Sequence, residues 1–489
     1  MSIVIRTPDW VKHAIFYQIF PDRFKRGSEV APPPGVTFKP WGTRPEAQGF
    51  QGGDLYGVIE SLPYLLDLGI TALYLNPIFS SAANHRYHTF DYYQVDPLLG
   101  GNDALRALLD AAHEKDMKVV LDGVFNHASR GFWPFHHVLE NGSDSPYIDW
   151  FTVHDWPLNP YPENKDEPIN YDAWWGLPAL PKLNTKNIDV QQYILDIATY
   201  WINFGIDGWR LDVPAEIDDD HFWQQFRRVV KRANPDAYIC GEIWEEAQRW
   251  LQGDQFDAVM NYTVSWAAMS YCGHQSLRPG YDREHLSLHP LDASAVAEVI
   301  DDMHGWYDWE INQAQLNLLG SHDTARALWV LSEDKTALKM CVLLQMTLPG
   351  APCIYYGDEI GMSAGDDPYC REAFPWDNKK LWDEDLLRYF SDVCALRHGH
   401  EVLRIGDFES IYTDGMVWAF RRRLGEQVAY IVFNAGDDKE NLAFSLFALN
   451  AEFEAHWVLN EGMIDFAEGQ PVSITMQPKS GLVLTGLIP

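Results

Sequence analysis

The sequence predicts an α/β protein: a (β/α)8 barrel with an inserted subdomain after the third strand and a C-terminal antiparallel β domain. Three observations predict it. Eight short β-branched or aromatic runs, each closing on polar or glycine residues and each followed by a helical pattern, occur before residue 400. One interval between them is far longer than the others, and the texture changes near residue 401 to short alternating runs. A chain of 489 residues with 46% apolar content has the material for one large domain and one or two smaller ones.

In order, the candidate strands are AIFYQIF (14–20), ALYLNPI (72–78), KVVLDGVFNH (118–127), GWRLDV (208–213), AYICGEIW (237–244), AVMNY (258–262), LNLLGSHD (316–323) and APCIYYGDE (351–359). Their near-continuous apolar character suits parallel strands covered on both faces. The interval of about 80 residues between the third and fourth runs exceeds an ordinary connection and opens rich in Trp, Pro, Asn and Asp. It reads as an inserted domain over 128–183, followed by the outer helix VQQYILDIATYWINFG (190–205), which has apolar residues at helical spacing. The barrel then comprises 1–127 and 184–400. The runs MVWAFRRR, VAYIVFNA and GLVLTGLI within 401–489 read as a β-sandwich.

Bulk properties exclude several function classes. Against 37 Lys and Arg stand 70 Asp and Glu, a formal charge of -33, which argues against a polyanion, so no nucleic-acid partner is expected. No apolar run reaches membrane length, and Arg6, Pro8 and Asp9 stand where a secretory signal carries an apolar stretch, so no membrane partner is expected. Six cysteines without a CxxC pair or metal-like spacing fit a reducing compartment, and the reading is cytoplasmic. The aromatic load of 20 Trp, 23 Tyr and 24 Phe is heavy; most must be core, and the remainder are candidates for platforms, since a pyranose ring offers an apolar C–H face that sits well on an aromatic ring.

Active sites of such barrels lie at the C-terminal ends of the strands, so polar residues closing apolar strands are the ones to read as catalytic. Four ends stand out: Asp122 with Asn126 and His127, Arg210 with Asp212, Glu242 with Trp244, and His322 with Asp323. Arg210 and Asp212 are two apart and so share a face, which places a cation beside a carboxylate and is expected to keep Asp212 ionised as a nucleophile. Glu242, among aliphatic neighbours and facing other acids, is expected to have a raised pKa, as a general acid needs. Asp323 is the third acid, placed to hold sugar hydroxyls in an oxocarbenium-like transition state. A lone carboxylate at a strand end is more often a cap or ion-pair partner; four converging ends are a different matter.

In order and spacing, DGVFNH, GWRLDVPAEI, GEIW and LGSHDT resemble the four sequence regions of the α-amylase family, glycoside hydrolase family 13. The resemblance covers nearly the whole chain and implies the same architecture. It implies Asp212 as nucleophile, Glu242 as acid/base, Asp323 as transition-state stabiliser, and Arg210, His127 and His322 as substrate-binding residues, with Asp122 and Asn126 in the same motif. Asn84-His85-Arg86-Tyr87 resembles the segment whose histidine and tyrosine line the subsite, which implies His85 and Tyr87; Asp91 reads as loop support. Leu180-Pro-Lys-Leu-Asn184, GEIWEEA and GDQFDAVMNY are similar to the neopullulanase, cyclomaltodextrinase and maltogenic amylase group; Glu245 and Glu246, just beyond the substrate-binding candidate Trp244, fall where that group places acceptor-side residues and read equally as the acid-rich start of an exposed helix. That group typically carries an extra N-terminal β domain, whereas here the first barrel strand begins near residue 14.

The resemblance implies a retaining hydrolase of α-1,4 and, in some relatives, α-1,6 bonds in malto-oligosaccharides, cyclodextrins or pullulan. A homodimer is suggested by the resemblance alone. Many family members hold calcium between barrel and insert; no acidic cluster for it stands out here, so no metal or other cofactor is expected. Trp174, Trp175 and Phe132-Trp133 are candidate sugar platforms or the insert's own core, and Arg371 and Glu372 are candidates for the site's border. The rival readings are a glucanotransferase or trehalose synthase of the same family, and a non-catalytic barrel scaffold. The presence of all three acids weighs against the scaffold.

Overall fold

The computed structural model describes residues 4–488, leaving out 165–166, 282, 284–285, 445–452 and 466–471. In chain order the strands of the first 400 residues are β1 (Phe16–Ile19), β2 (Ala72–Leu75), β3 (Phe79–Ser81), β4 (Thr89–Val95), β5 (Lys118–Gly123), β6 (Gly208–Leu211), β7 (Tyr238–Gly241), β8 (Ala258–Asn261), β9 (Leu316–Leu318) and β10 (Ala351–Tyr355). Eight of them close into a parallel barrel in the order β1-β10-β9-β8-β7-β6-β5-β2. Each of the eight falls inside a run that the sequence predicts.

Period-2 alternation explains both the barrel's interior and its mouth. Phe16, Ala72, Tyr74, Val120, Tyr238, Cys240, Ala258, Met260, Leu316, Leu318, Ala351 and Cys353 fill the inside. Continuing the same alternation along the strands reaches Gln18, Asn76, Asp122, Arg210, Asp212 and Glu242, so the inward rows turn from apolar to polar at the C-terminal end. A second, larger core lies between strands and outer helices. The helix Ile188–Phe204 shows how those helices are specified. Asn187 caps it by accepting from the Asp189 amide, Val190, Ile194, Ile197, Ala198 and Trp201 form its buried stripe, and Gly205 ends it at φ 117°.

Strands β3 and β4 form an antiparallel hairpin that carries His85 and Tyr87 in its loop. Between β5 and β6 the inserted segment is tied to the barrel by a bridge from His127 to Lys182, while a bridge from Ala173 to Pro181 closes within the segment. Phe132, 2% exposed, packs with Tyr92 and Tyr193, so this candidate platform is core.

After a short helix, Glu401–Ile405, come β11 (Glu409–Asp414), β12 (Val417–Leu424), β13 (Gln427–Asn434), β14 (Glu440–Phe444), β15 (Glu454–Leu459), β16 (Met463–Asp465), β17 (Val472–Met476) and β18 (Ser480–Leu487). They form a five-stranded and a three-stranded sheet, with Val417, Ala419, Leu442, Ile474 and Leu482 in a shared core. Buried Arg422 joins this unit to the barrel by donating to the carbonyls of Thr347, Leu403, Gly406 and Asp407. Among the described residues no helix is long and apolar enough to cross a membrane, and all six cysteines are buried and free.

Glu359, just after β10, pins three elements together. Its Oε1 accepts the hydroxyls of Tyr17 on β1 (2.8 Å) and Tyr64 on the helix Leu55–Leu68 (2.6 Å), and its Oε2 accepts the Gly357 amide. Burial raises this carboxyl from 4.5 to about 7. A raised carboxyl favours the protonated folded state, so its stabilisation is complete below the ordinary carboxylate range and is lost as pH rises through about 7. Wild type should therefore lose stability relative to Glu359→Gln across that window, by up to about 1.4 kcal/mol per pH unit. Paired thermal melts between pH 4.5 and 8 check this; a difference that stays flat with pH would contradict it.

Candidate active site

Arg210, 1% exposed, is the centre of the barrel mouth. Its Nη1 donates to both oxygens of Asp122 (2.9 and 3.1 Å) and to Asp212 Oδ1 (3.1 Å), and its Nη2 lies 2.9 Å from Glu242 Oε2. One guanidinium thus serves three carboxyls from the ends of β5, β6 and β7.

Asp122 also accepts the hydroxyls of Tyr74 and Tyr87, each at 2.9 Å on Oδ2. With both oxygens engaged and 1% exposure, it holds the other site residues in place rather than facing the mouth. Burial raises its carboxyl to about 6 against the pull of Arg210. Asp212 differs: its Oδ1 is on Arg210 while its Oδ2 has no hydrogen-bond partner among the described residues.

Glu242 Oε1 accepts the Trp244 indole N–H at 3.1 Å and Oε2 accepts the Val213 amide at 3.1 Å. Trp244 is fixed in turn by lying flat on Tyr262, with ring centroids 3.6 Å apart. Val213 donates from a left-handed backbone, φ 37° and ψ 49°, although it is β-branched and precedes Pro214. Such a conformation costs on the order of 1–3 kcal/mol and is typical of functional turns. Here it directs the amide next to Asp212 onto the Glu242 carboxyl.

The electrostatics correct one expectation. Arg210 does not hold the Asp212 carboxyl low. Burial, then the neighbouring Glu242 charge, push it well above the carboxylate range, outweighing Arg210. Glu242 is also raised, by burial first, against Arg210. The physical reason is that a single cation is divided among three buried acids, so burial and mutual repulsion raise both members of the Asp212–Glu242 pair.

The histidines are held neutral by burial. His322 Nδ1 accepts from the Gln18 and Asn76 amides (2.8 and 3.1 Å), which leaves the proton on Nε2, facing the Tyr87 hydroxyl at 2.6 Å and Asp323 Oδ2 at 3.1 Å. Burial and the Arg371 and Arg210 charges drive its pKa well down. Asp323 is the most open acid, 26% exposed at the side chain, and is steadied by Arg371 Nη2 at 3.3 Å. Arg371 also donates to the His322 carbonyl at 2.9 Å and pairs with Asp367 at 2.8 Å. The Glu372 backbone carbonyl accepts the Tyr356 hydroxyl at 2.6 Å.

His85 accepts the Tyr87 amide on Nδ1 and stacks beside the Tyr87 ring, and burial lowers its pKa well below the ordinary value. His127, pushed down to about 3 by burial, faces Asn126 Nδ2 at 3.3 Å through Nδ1 and lies flat against Trp174. Glu246 is exposed beyond Trp244, outside the carboxylate cluster. Asp91 accepts the Tyr93 amide and so supports its own strand.

Gln18, Asn76 and Tyr74 went unread in the sequence, although Gln18 and Asn76 sit at the polar ends of inward rows, the feature that marked the other site residues. Tyr74 carried no such signal, because an aromatic residue inside a strand reads as core.

The comparisons with known proteins agree with this geometry. Residues 18–384 match the family profile described as alpha amylase, catalytic domain. The chain is 41% identical to a cyclomaltodextrinase of Geobacillus thermopakistaniensis, covering 97% of this chain and 77% of that protein. It is 38% identical to neopullulanase 2 of Thermoactinomyces vulgaris, covering 99% and 79%. The solved debranching enzyme of Nostoc punctiforme superposes with a TM-score of 0.90 at 44% identity, over 99% of this chain and 100% of that one. A catalytic-domain match over most of its length, together with these relatives, shows that the chain is a glycoside hydrolase of the α-amylase family, in its cyclomaltodextrinase, neopullulanase and maltogenic amylase group.

Proposed function

We propose that the chain hydrolyses α-glucosidic bonds in malto-oligosaccharides and related α-glucans, with retention of configuration, by double displacement through Asp212. The observation that carries this reading is the arrangement on Arg210. Asp212 and Glu242 sit on the two terminal nitrogens of one guanidinium, at 3.1 and 2.9 Å, and Asp212 Oδ2 is left without a hydrogen bond among the described residues. Two carboxyls so closely held suit the separation of roughly 5 to 5.5 Å that retaining chemistry uses.

In the first step Glu242 gives its proton to the glycosidic oxygen as the C1–O bond breaks, and an Asp212 oxygen bonds to C1. Positive charge developing at C1 beside Asp212 favours the ionised aspartate, so the proton resides on Glu242 when the sugar is in place. The carboxylate left on Glu242 is stabilised by the Val213 amide, the Trp244 indole and Arg210. In the second step Glu242 takes a proton from water, whose oxygen attacks C1 and releases Asp212. His85, His127 and His322, all neutral, and Asp323 bind the hydroxyls of the sugar being cleaved. Trp244 and Glu246 border the acceptor side.

Cyclodextrins and pullulan are substrates on this reading, supported by the likeness to a cyclomaltodextrinase and a neopullulanase. Cleavage of α-1,6 bonds is supported by the likeness to a debranching enzyme and to the cyclic alpha-maltosyl-(1→6)-maltose hydrolase of Arthrobacter globiformis. Hydrolysis rather than transfer is supported by hydrolase relatives. A cytoplasmic setting is supported by six cysteines that are all free.

Timed product analysis on maltooctaose, β-cyclodextrin, pullulan and a branched dextrin tests the reading. Wild type should release short maltosaccharides and Glu242→Gln should not; dominant longer or rearranged sugars would make the enzyme a transferase. No metal is part of the proposal, since Arg210 supplies the cationic charge in the cluster. Activity and melting temperature should be unchanged after EDTA treatment and desalting; a loss of either restored by calcium would overturn this.

A further inference from the structure

Trp174 and Trp175 have no part in the chemistry above, yet the backbone that presents them is strained. Trp175 is left-handed, φ 52° and ψ 23°, followed by Gly176 at φ 66°. Glycine takes that region freely, whereas a bulky aromatic residue does not, and such strain persists where surroundings impose it and gathers at ligand sites.

The rings show what this turn achieves. Trp174 lies on His127 with centroids 4.9 Å apart and planes 10° apart, and Trp175 lies on Trp174 at 4.4 Å and 16°. Three near-parallel rings therefore run from a fully buried site histidine out to water. At the outer end Trp175 is 78% exposed, the highest value among the large apolar side chains described. One of its faces rests on Trp174 and the other is open. The base is firm: the Trp174 amide donates to the Leu180 carbonyl at 3.0 Å, the Gly176 amide to the Ala173 carbonyl at 3.1 Å, and Ala173 bridges to Pro181. Trp133, also exposed in the inserted segment, meets its neighbour His137 edge-on at 71° and belongs to no such ladder.

We propose that Trp175 is an outer sugar-binding platform, which seats the apolar C–H face of a glucosyl unit of an α-glucan chain extending beyond the units held around Arg210. This rests on the α-glucan reading above. An aromatic face offered to solvent and braced from behind matches that ligand, and the ladder to His127 places it on the path out of the site.

The test compares wild type, Trp175→Ala, Trp175→Gly and Trp133→Ala on maltotriose and maltoheptaose. Both Trp175 variants should raise KM for maltoheptaose about tenfold, the value of one lost ring contact, with kcat held within about twofold. Constants for maltotriose, too short to reach the platform, should not change, and Trp133→Ala should match wild type on both sugars. Trp175→Gly should melt no lower than wild type, because glycine relieves the left-handed strain. An unchanged KM for maltoheptaose, or an equal loss on both sugars, overturns the inference. Tryptophan-fluorescence titration of Asp212→Asn with maltoheptaose separates the two readings. Saturable quenching whose midpoint moves to about tenfold higher maltoheptaose on adding Trp175→Ala upholds the platform even if wild type cleaves nothing, in which case the hydrolysis reading alone fails; a midpoint that does not move overturns the platform.

Discussion

Asp212→Asn should lose turnover by on the order of 10⁴-fold or more while remaining folded, and should melt higher than wild type. The kinetic part follows because an amide cannot form the glycosyl ester and no other carboxyl is placed to do so. Asp122 has both oxygens engaged, Glu242 accepts from Val213 and Trp244, and Asp323 is held between Arg371 and His322. The stability part follows from the raised Asp212 carboxyl. Burial and the Glu242 charge oppose its ionisation, so an isosteric neutral residue relieves a conflict that the folded state otherwise carries. Initial rates on maltooctaose and a thermal melt at pH 7 check the two halves. Retained activity would refute the assignment, and a lower melt would show that Asp212 stabilises the fold.

Arg210→Leu should have the opposite effect on stability and a comparable effect on rate. Removing the guanidinium leaves Asp122, Asp212 and Glu242 buried without their cation. Breaking a buried ion pair from one side costs about 3–5 kcal/mol. The three acids escape part of this by taking up protons, so the deficit should be larger at pH 8 than at pH 5. Activity should fall at least on the order of 10³-fold, since both carboxyls lose their positioning contact. Melts at the two pH values check the sign, and a deficit independent of pH would mean that Arg210 acts through packing alone.

The barrel was legible because parallel strands covered on both faces leave continuous apolar runs, and because the inward rows end on polar residues. AYICGEIW illustrates both, with Tyr238 and Cys240 in the interior and Glu242 at the rim. The helix after the insert was legible from its apolar spacing and from Gly205. What could not be read were properties that arise only when distant segments meet. The sequence shows Arg210 beside Asp212, but not that Asp122 and Glu242 claim the same guanidinium, and this reverses the expected direction of the Asp212 shift. Val213 before Pro214 reads as extended chain; its left-handed turn becomes intelligible only with Glu242 as the acceptor of its amide. The pair Trp174-Trp175 reads equally as core or as platform until His127 is seen beneath it.

The central claim is that Asp212 bonds covalently to the sugar. The most direct test is to treat Glu242→Gln with α-maltosyl fluoride, whose leaving group needs no acid, so that the ester forms but its hydrolysis lacks a base, and to map the modified peptide by mass spectrometry. The account predicts a maltosyl increment on the peptide containing Asp212. An adduct on a different carboxyl, or release of maltose of inverted configuration without an adduct, would contradict it.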